Sequence, residues 1–210
     1  MMTNLSTGAE RGPSVAVRPQ GPARRRSATA TRQAISEAAR ELFADSGFDA
    51  VGIRAIAARA GVDAALVIRY FGSKERLFLE VMTVDLPVAA VMDGPLESLG
   101  RALVEHVLDL SSSHAGTLAV TSLSALFRAS ERAPVQQTLR ETIERAFAVP
   151  LVGRLRGGDA ELRAHLIAAQ IGGLLTSLHV VRDPVLGRAD RASLAARYGA
   201  AIQRLIDGED

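Results

Sequence analysis

The sequence predicts an all-α protein: an N-terminal three-helix domain built around a helix-turn-helix, followed by a larger helical body, about nine helices in all. Three observations lead there. From Ala28 onward apolar residues recur with a helical period, and no sustained alternation with turn pairs marks a strand. Gly and Pro fall where helices would end. Two short helical stretches are joined by "AGVD", a turn of the length and type that links a helix-turn-helix.

The elements follow in order. Residues 1–26 are rich in Gly, Pro, Ser and Arg without a hydrophobic period, and read as a disordered basic tail ending in Arg24, Arg25 and Arg26. A first helix over 29–46 places Ile35, Ala38, Ala39, Leu42 and Phe43 on one stripe, and Gly47 stops it. The second runs from Ile53 to Ala60 and ends at Gly61. Asp63 can N-cap a third over 64–71, and Ser73 a fourth that starts at Lys74 and buries Leu77, Phe78, Val81 and Met82. Pro87 ends or kinks that helix, and Gly94-Pro95 closes the segment.

Five more helices fit 95–111, 115–131, 134–156, 159–182 and 190–207. Pro134 suits a first helical position, Pro150 predicts a kink, and Asp159 and Asp190 are N-cap candidates. The domains are accordingly a tail (1–26), a helix-turn-helix domain (27–75) and a helical body (76–210).

The composition narrows the function. A chain of 210 residues, 48% hydrophobic, can bury a sizeable core. No stretch is expected to reach the roughly 20 apolar residues of a membrane span, and no apolar signal-peptide core opens the chain, so a cytoplasmic protein without a membrane partner is expected. Without cysteine there is no thiolate nucleophile and no Cys-based zinc site. Neither a Gly-rich phosphate loop, a nucleophile elbow, an HExxH nor another metal-ligand spacing occurs. An enzyme is not expected, nor a catalytic residue, cofactor or metal. Residues 1–80 hold 12 Lys/Arg against 8 Asp/Glu, whereas the remainder is mildly acidic. A polyanion would therefore meet the N-terminal part.

The second helix of a helix-turn-helix enters the DNA major groove. A 100° step per residue turns Val67 and Phe71 of the third helix toward Ile35, Phe43, Ile56 and Ala57. Ala65, Leu66 and Arg69 then point away, with Ala64 and Ile68 on the flanks. Small and apolar side chains can pack on a thymine methyl there, while Arg69 reaches a guanine or a phosphate.

Residues 31–78, with "LFADSGF", "IRAIAARAGV" and "YFGSKERLF", resemble the N-terminal domain of the TetR/AcrR family of transcriptional regulators. The resemblance implies a homodimer on a pseudo-palindromic double-stranded DNA operator, acting as a repressor and released by a small, lipophilic ligand. It implies phosphate contacts by Tyr70 and by Lys74, the single lysine of the chain, in the first turn of its helix. Arg54 lies near where phosphate docks. Gly52 stands where the family often has Ser or Thr, and Ile68 where it often has Tyr. Arg24–Arg26 would reach the adjacent minor groove.

The resemblance also places the dimer interface on the last two helices, with Leu166, Ala169, Gly173, Leu174, Leu178, Leu194, Tyr198, Ala201, Ile202 and Leu205. Gly172-Gly173 would permit close approach. A ligand pocket is expected around His114, Thr117, Thr121, Ser124 and Phe127. The alternative is a helical adaptor that has lost specific DNA binding.

Overall fold

Helix formation begins earlier than the hydrophobic period suggested. The computed structural model describes residues 22–83 and 86–208, and helix is the only regular structure among them. Helix α1, Pro22–Ala50, opens on a proline whose fixed φ and missing N–H suit a first turn. Alanine and arginine then carry the helix through 23–26, so Arg24–Arg26 belong to its first turns rather than to the tail. Their side chains, and residues 1–21 of the tail, lie outside the described residues. Gly47, at φ 78° and ψ 177°, breaks α1 where a stop was expected.

Helices α2 (Ile53–Ala60), α3 (Ala64–Phe71) and α4 (Lys74–Met82) fall where their caps predict. The Asp63 carboxylate accepts from the Ala65 N–H at 2.7 Å, and Ser73 Oγ from the Arg76 N–H at 3.1 Å. Gly61 is left-handed at φ 66°, where a Cβ would be strained. The core beneath them is aromatic. Phe43, Phe48 and Phe78 meet with centroids 5.1–6.1 Å apart, joined by Ile35, Ile56, Val67 and Phe71.

A one-turn helix that the sequence reading missed, α5 (Ala89–Met92), leads into the body. Helices α6 (Leu99–Asp109) and α7 (His114–Arg128) follow, then α8 (Ala133–Ile143) and α9 (Val149–Val152). A π-helical stretch, Glu144–Ala148, joins α8 to α9. It precedes Pro150, which has no N–H to give and crowds the carbonyl four residues back, so the helix widens by a residue where a disturbance was expected.

Helices α10 (Ala160–Leu175) and α11 (Arg191–Asp207) complete the body, with a second π stretch at Thr176–Val181. Asp190 caps α11 through the Ser193 N–H. Asp159 makes no cap; its carboxylate takes Arg163 Nε at 2.9 Å. The same buried guanidinium reaches the carbonyls of Leu205 and Ile206, satisfying the end of α11.

Helix α11 lies along α6 at a close crossing. A Cβ on Gly100 would stand 2.5 Å from the Gly199 carbonyl, and one on Gly199 2.7 Å from Arg101 Cα. The Gly100 N–H donates to Gln203 Oε1 at 3.0 Å. This is where two glycines admit close approach within the chain. Around Gly172 and Gly173 a Cβ would meet nothing within 4 Å.

Ala160–Val181 amends the membrane expectation, since 22 residues of this composition are long and apolar enough to span. Here one face of α10 (Ala164, Ile167, Ala168, Ile171, Leu174) is buried in the body. The other, with Leu162 61% and Leu166 42% exposed, carries apolar residues outward. Val149 and Val152 of α9 are exposed too and border a groove against Glu161 and His165.

Candidate nucleic-acid interface

The α2–turn–α3 unit closes tightly because its turn is satisfied from within. The Val62 N–H donates to Ala57 O at 2.9 Å, and the Gly61 N–H to Ala58 O at 3.3 Å. Val67 and Phe71 are buried as the helical step predicts. Ala65, Ile68 and Arg69 are exposed, while Ala64 and Leu66 are half-buried. Ile68, expected on a flank, is 45% exposed and belongs to the outward face. A water-facing strip of Ala, Ile and Arg on a helix held rigid from behind can meet base edges.

Around this strip stand the predicted phosphate residues. Gly52 caps α2 with extended backbone and no side-chain bond, and Arg54 is exposed in the first turn after it. Tyr70 is half-buried, with the Arg69 guanidinium 5.7 Å from its ring centroid. Lys74 is the first residue of α4, and its Nζ lies 4.2 Å over the Phe48 ring.

Arg32 was not singled out from the sequence. Its Nη1 donates to Tyr70 O at 2.9 Å, its Nη2 reaches both oxygens of Glu80, and its guanidinium stacks 4.4 Å over Phe71. One side chain thus ties α1 to the end of α3 and to α4. No sequence signal marks it, because its partners lie 38 and 48 residues away.

The electrostatics sharpen the sequence reading. Residues 28–83 hold seven Lys/Arg and seven Asp/Glu, a net charge of zero. The positive excess of the N-terminal third therefore resides upstream, in Arg11, Arg18 and Arg24–Arg26 against Glu10. Within the folded domain Arg59 pairs with Glu41 at 2.5 Å and Arg32 with Glu80, so the outward cations are held apart from the acids by placement, not by excess.

In the body, Ser124 and Phe127 line a narrow apolar cleft with Val120, Leu123, Leu175, Thr176, His179 and Val180, with room for little more than a water molecule. Ser124 Oγ donates back to Val120 O. Thr121 is half-buried on the same helix, whereas His114 and Thr117 sit exposed in its first turn. Among the described residues three buried side-chain polar atoms have no protein partner: His179 Nε2, from a residue that lines the cleft, and His106 Nε2 and Gln170 Oε1 elsewhere in the body. Burial holds both imidazoles below their ordinary pKa, against opposing pulls from Asp109 on His106 and the Val107 carbonyl on His179. Of these, His179 lines the cleft, whereas His114 and Thr117 do not.

Of the residues expected at a dimer interface, Leu166, Ala169 and Gly173 are exposed, and Leu178, Leu194, Tyr198, Ala201 and Leu205 are half-buried. Leu174 and Ile202 are corrected: at 3% and 0% exposure they lie in the subunit's own core, because α11 closes on α6 and α10 on that core. Tyr198 is anchored by its hydroxyl, which donates to Gln170 O at 3.0 Å.

Comparison with known proteins adds to this geometry. Residues 35–81 match the family described as bacterial regulatory proteins, tetR family, and residues 97–206 match a tetracyclin repressor-like C-terminal domain. A TetR-family regulator from Streptomyces coelicolor A3 is 35% identical, with 85% of this chain and 95% of that one covered and a TM-score of 0.60. NalD of Pseudomonas aeruginosa, the secondary repressor of the MexAB-OprM multidrug efflux pump, is 25% identical, with 85% and 97% covered and a TM-score of 0.64. The HTH-type transcriptional regulatory protein RaaS of Mycobacterium tuberculosis is 62% identical over 53 residues, 25% of this chain. An HTH-type transcriptional repressor of the same species is 40% identical over 76 residues. The chain spans 24% and 40% of the lengths of these last two relatives.

Proposed function

We propose that this chain, which belongs to the TetR family of bacterial regulatory proteins and is a DNA-binding transcriptional regulator, is a homodimeric repressor released by a small lipophilic molecule. The observation that carries the reading is the exposed strip of Ala65, Ile68 and Arg69 on a helix locked from behind by Val67, Phe71 and Arg32. Arg69, with Ala64, Ala65 and Leu66 around it, reads base edges. Tyr70, Lys74, Arg54 and the Gly52 backbone set register on phosphates. Arg24–Arg26, in the first turns of α1, supply the positive charge that the folded domain lacks.

The open apolar face of α10, continued by the half-buried Leu194, Tyr198, Ala201 and Leu205 of α11, supports pairing of two copies on a two-fold operator. The unpartnered His179 Nε2 supports a ligand that brings its own hydrogen-bonding group into the cleft beside Ser124 and Phe127. On this reading the protein acts in the cytoplasm by binding, not by catalysis.

The test is binding to DNA flanking its own gene and to sequences recovered by selection. Lys74→Ala weakens binding to all sequences alike and reduces the salt slope by about one. Arg69→Ala instead relaxes preference at one or two base pairs. Failure to bind either the flanking region or any selected sequence would favour a helical adaptor, a reading that the neutral charge of residues 28–83 and the missing hydroxyl at Gly52 support.

A further inference from the structure

The end of α7 and the loop after it grip the DNA-facing domain through two arginines of the body. Arg128 Nη2 donates to the Ala44 carbonyl of α1 at 3.0 Å, beside the Gly47 break. Arg132 Nη2 pairs with Asp49 Oδ1 at 2.5 Å, and its guanidinium lies 4.2 Å from the Phe48 centroid. The same ring carries the Lys74 ammonium, also at 4.2 Å. Phe48 itself is buried against Phe43 and Phe78 and cannot follow either cation.

Two cations on one ring would repel each other, and the Asp49 carboxylate cancels one of them. Asp49 is 79% exposed and stands three residues before Gly52, where α2 starts. With Arg132 seated, its charge is neutralised. With Arg132 withdrawn, a bare carboxylate remains one residue from the ring that holds Lys74. It would then compete with phosphate for the ammonium and repel the DNA backbone.

We propose that Arg132 is a positioning residue for DNA binding: by seating on Phe48 and neutralising Asp49, it keeps the Lys74 ammonium available to phosphate. This rests on the reading that Lys74 meets the DNA backbone. It also gives the body a route to the interface. Phe127, which lines the cleft beside His179, immediately precedes Arg128. A molecule that wedges Phe127 displaces the gripping turn, and DNA affinity falls without any residue of α3 being touched.

The test uses the full chain and a fluorescent 30-base-pair duplex of arbitrary sequence, read by anisotropy at fixed salt. Arg132→Ala weakens binding about five-fold, the scale of one unit charge acting over about 4 Å at the dielectric of water. Adding Asp49→Asn to that variant restores the affinity of the unaltered protein, because no carboxylate remains to be unmasked and the pair is again neutral. A double variant that stays as weak as Arg132→Ala, or an Arg132→Ala variant that loses nothing, overturns the proposal.

A second readout needs no DNA. In protein labelled with ¹³C-lysine the single lysine reports alone, its ε-methylene shifted upfield by the Phe48 ring, and Arg132→Ala moves that signal. A lysine signal that stays in place refutes the coupling. If the unaltered protein binds neither this duplex nor any selected sequence, the DNA-binding reading falls, and the lysine signal still decides whether Arg132 positions Lys74.

Discussion

The DNA-facing domain and the body solve opposite physical problems. In residues 28–82 the end of α1 and three helices of eight or nine residues are each closed by an identifiable device: Gly61 and Asp63 at the turn, Ser73 before α4, a cluster of three phenylalanines beneath. Its inward groups are matched inside one chain, and α3 turns Ala65, Ile68 and Arg69 outward. The body's helices swell twice into π stretches, leave Val149, Leu162 and Leu166 open, and bury three polar atoms without partners. One region is complete on its own terms; the other has features that a second subunit and a ligand would complete. On the proposed reading, rigidity belongs where sequence is read, and incompleteness where a ligand arrives.

The sharpest way to break this contrast is to open the small core. Phe43 is fully buried between Phe48 and Phe78. Phe43→Ala is expected to cost about 3–5 kcal/mol, read from urea unfolding, and to abolish DNA binding. A body substitution should behave differently. Leu166→Glu places a carboxylate on the open face of α10 and is expected to raise the dimer dissociation constant about 100-fold, with helix content unchanged, in sedimentation equilibrium. An unaltered dimer would move the interface elsewhere.

Smaller effects refine the comparison. Asp63→Ala removes the cap on α3 and should lower stability by about 1 kcal/mol, checked by thermal melting. The least effect is one of pH and belongs to the body alone. Burial lowers the pKa of His106 and His179, so between the folded and unfolded values the unfolded chain binds more protons. Their contribution is present above the unfolded value of about 6.5 and declines as pH falls below it. The melting temperature should therefore drop between pH 7.5 and 5.5, and His106→Gln with His179→Gln should flatten that drop.

How much the sequence revealed differs between the same two regions. In the small domain local chemistry decides the structure. A glycine at the turn, a carboxylate two residues before a helical N–H, and a 100° step suffice to orient Val67, Phe71 and Arg69. The body depends on non-local choices. Nothing local says that Leu174 and Ile202 face inward while Leu166 faces outward, since all three lie on broad apolar helices. The pocket expectation on α7 followed hydroxyl content, and only packing reveals that Ser124 and Phe127 meet His179 while His114 and Thr117 stay at the surface. Arg32 and Arg132 were invisible for the same reason: their partners are far away in the chain. Pro150 was legible as a disturbance, but not as a π stretch.

The crossing of α6 and α11 carries a consequence for how such a protein can change over time. At Gly100 and Gly199 any side chain would begin inside the opposing backbone, so these two sites accept almost no drift. On the proposed reading, a lineage that acquires a new ligand must leave this seam alone and alter the walls around His179 and Phe127, where no backbone contact of this kind forbids it. The seam is a keel: it fixes the part of the hull that cannot be rebuilt at sea, and so marks out the part that can.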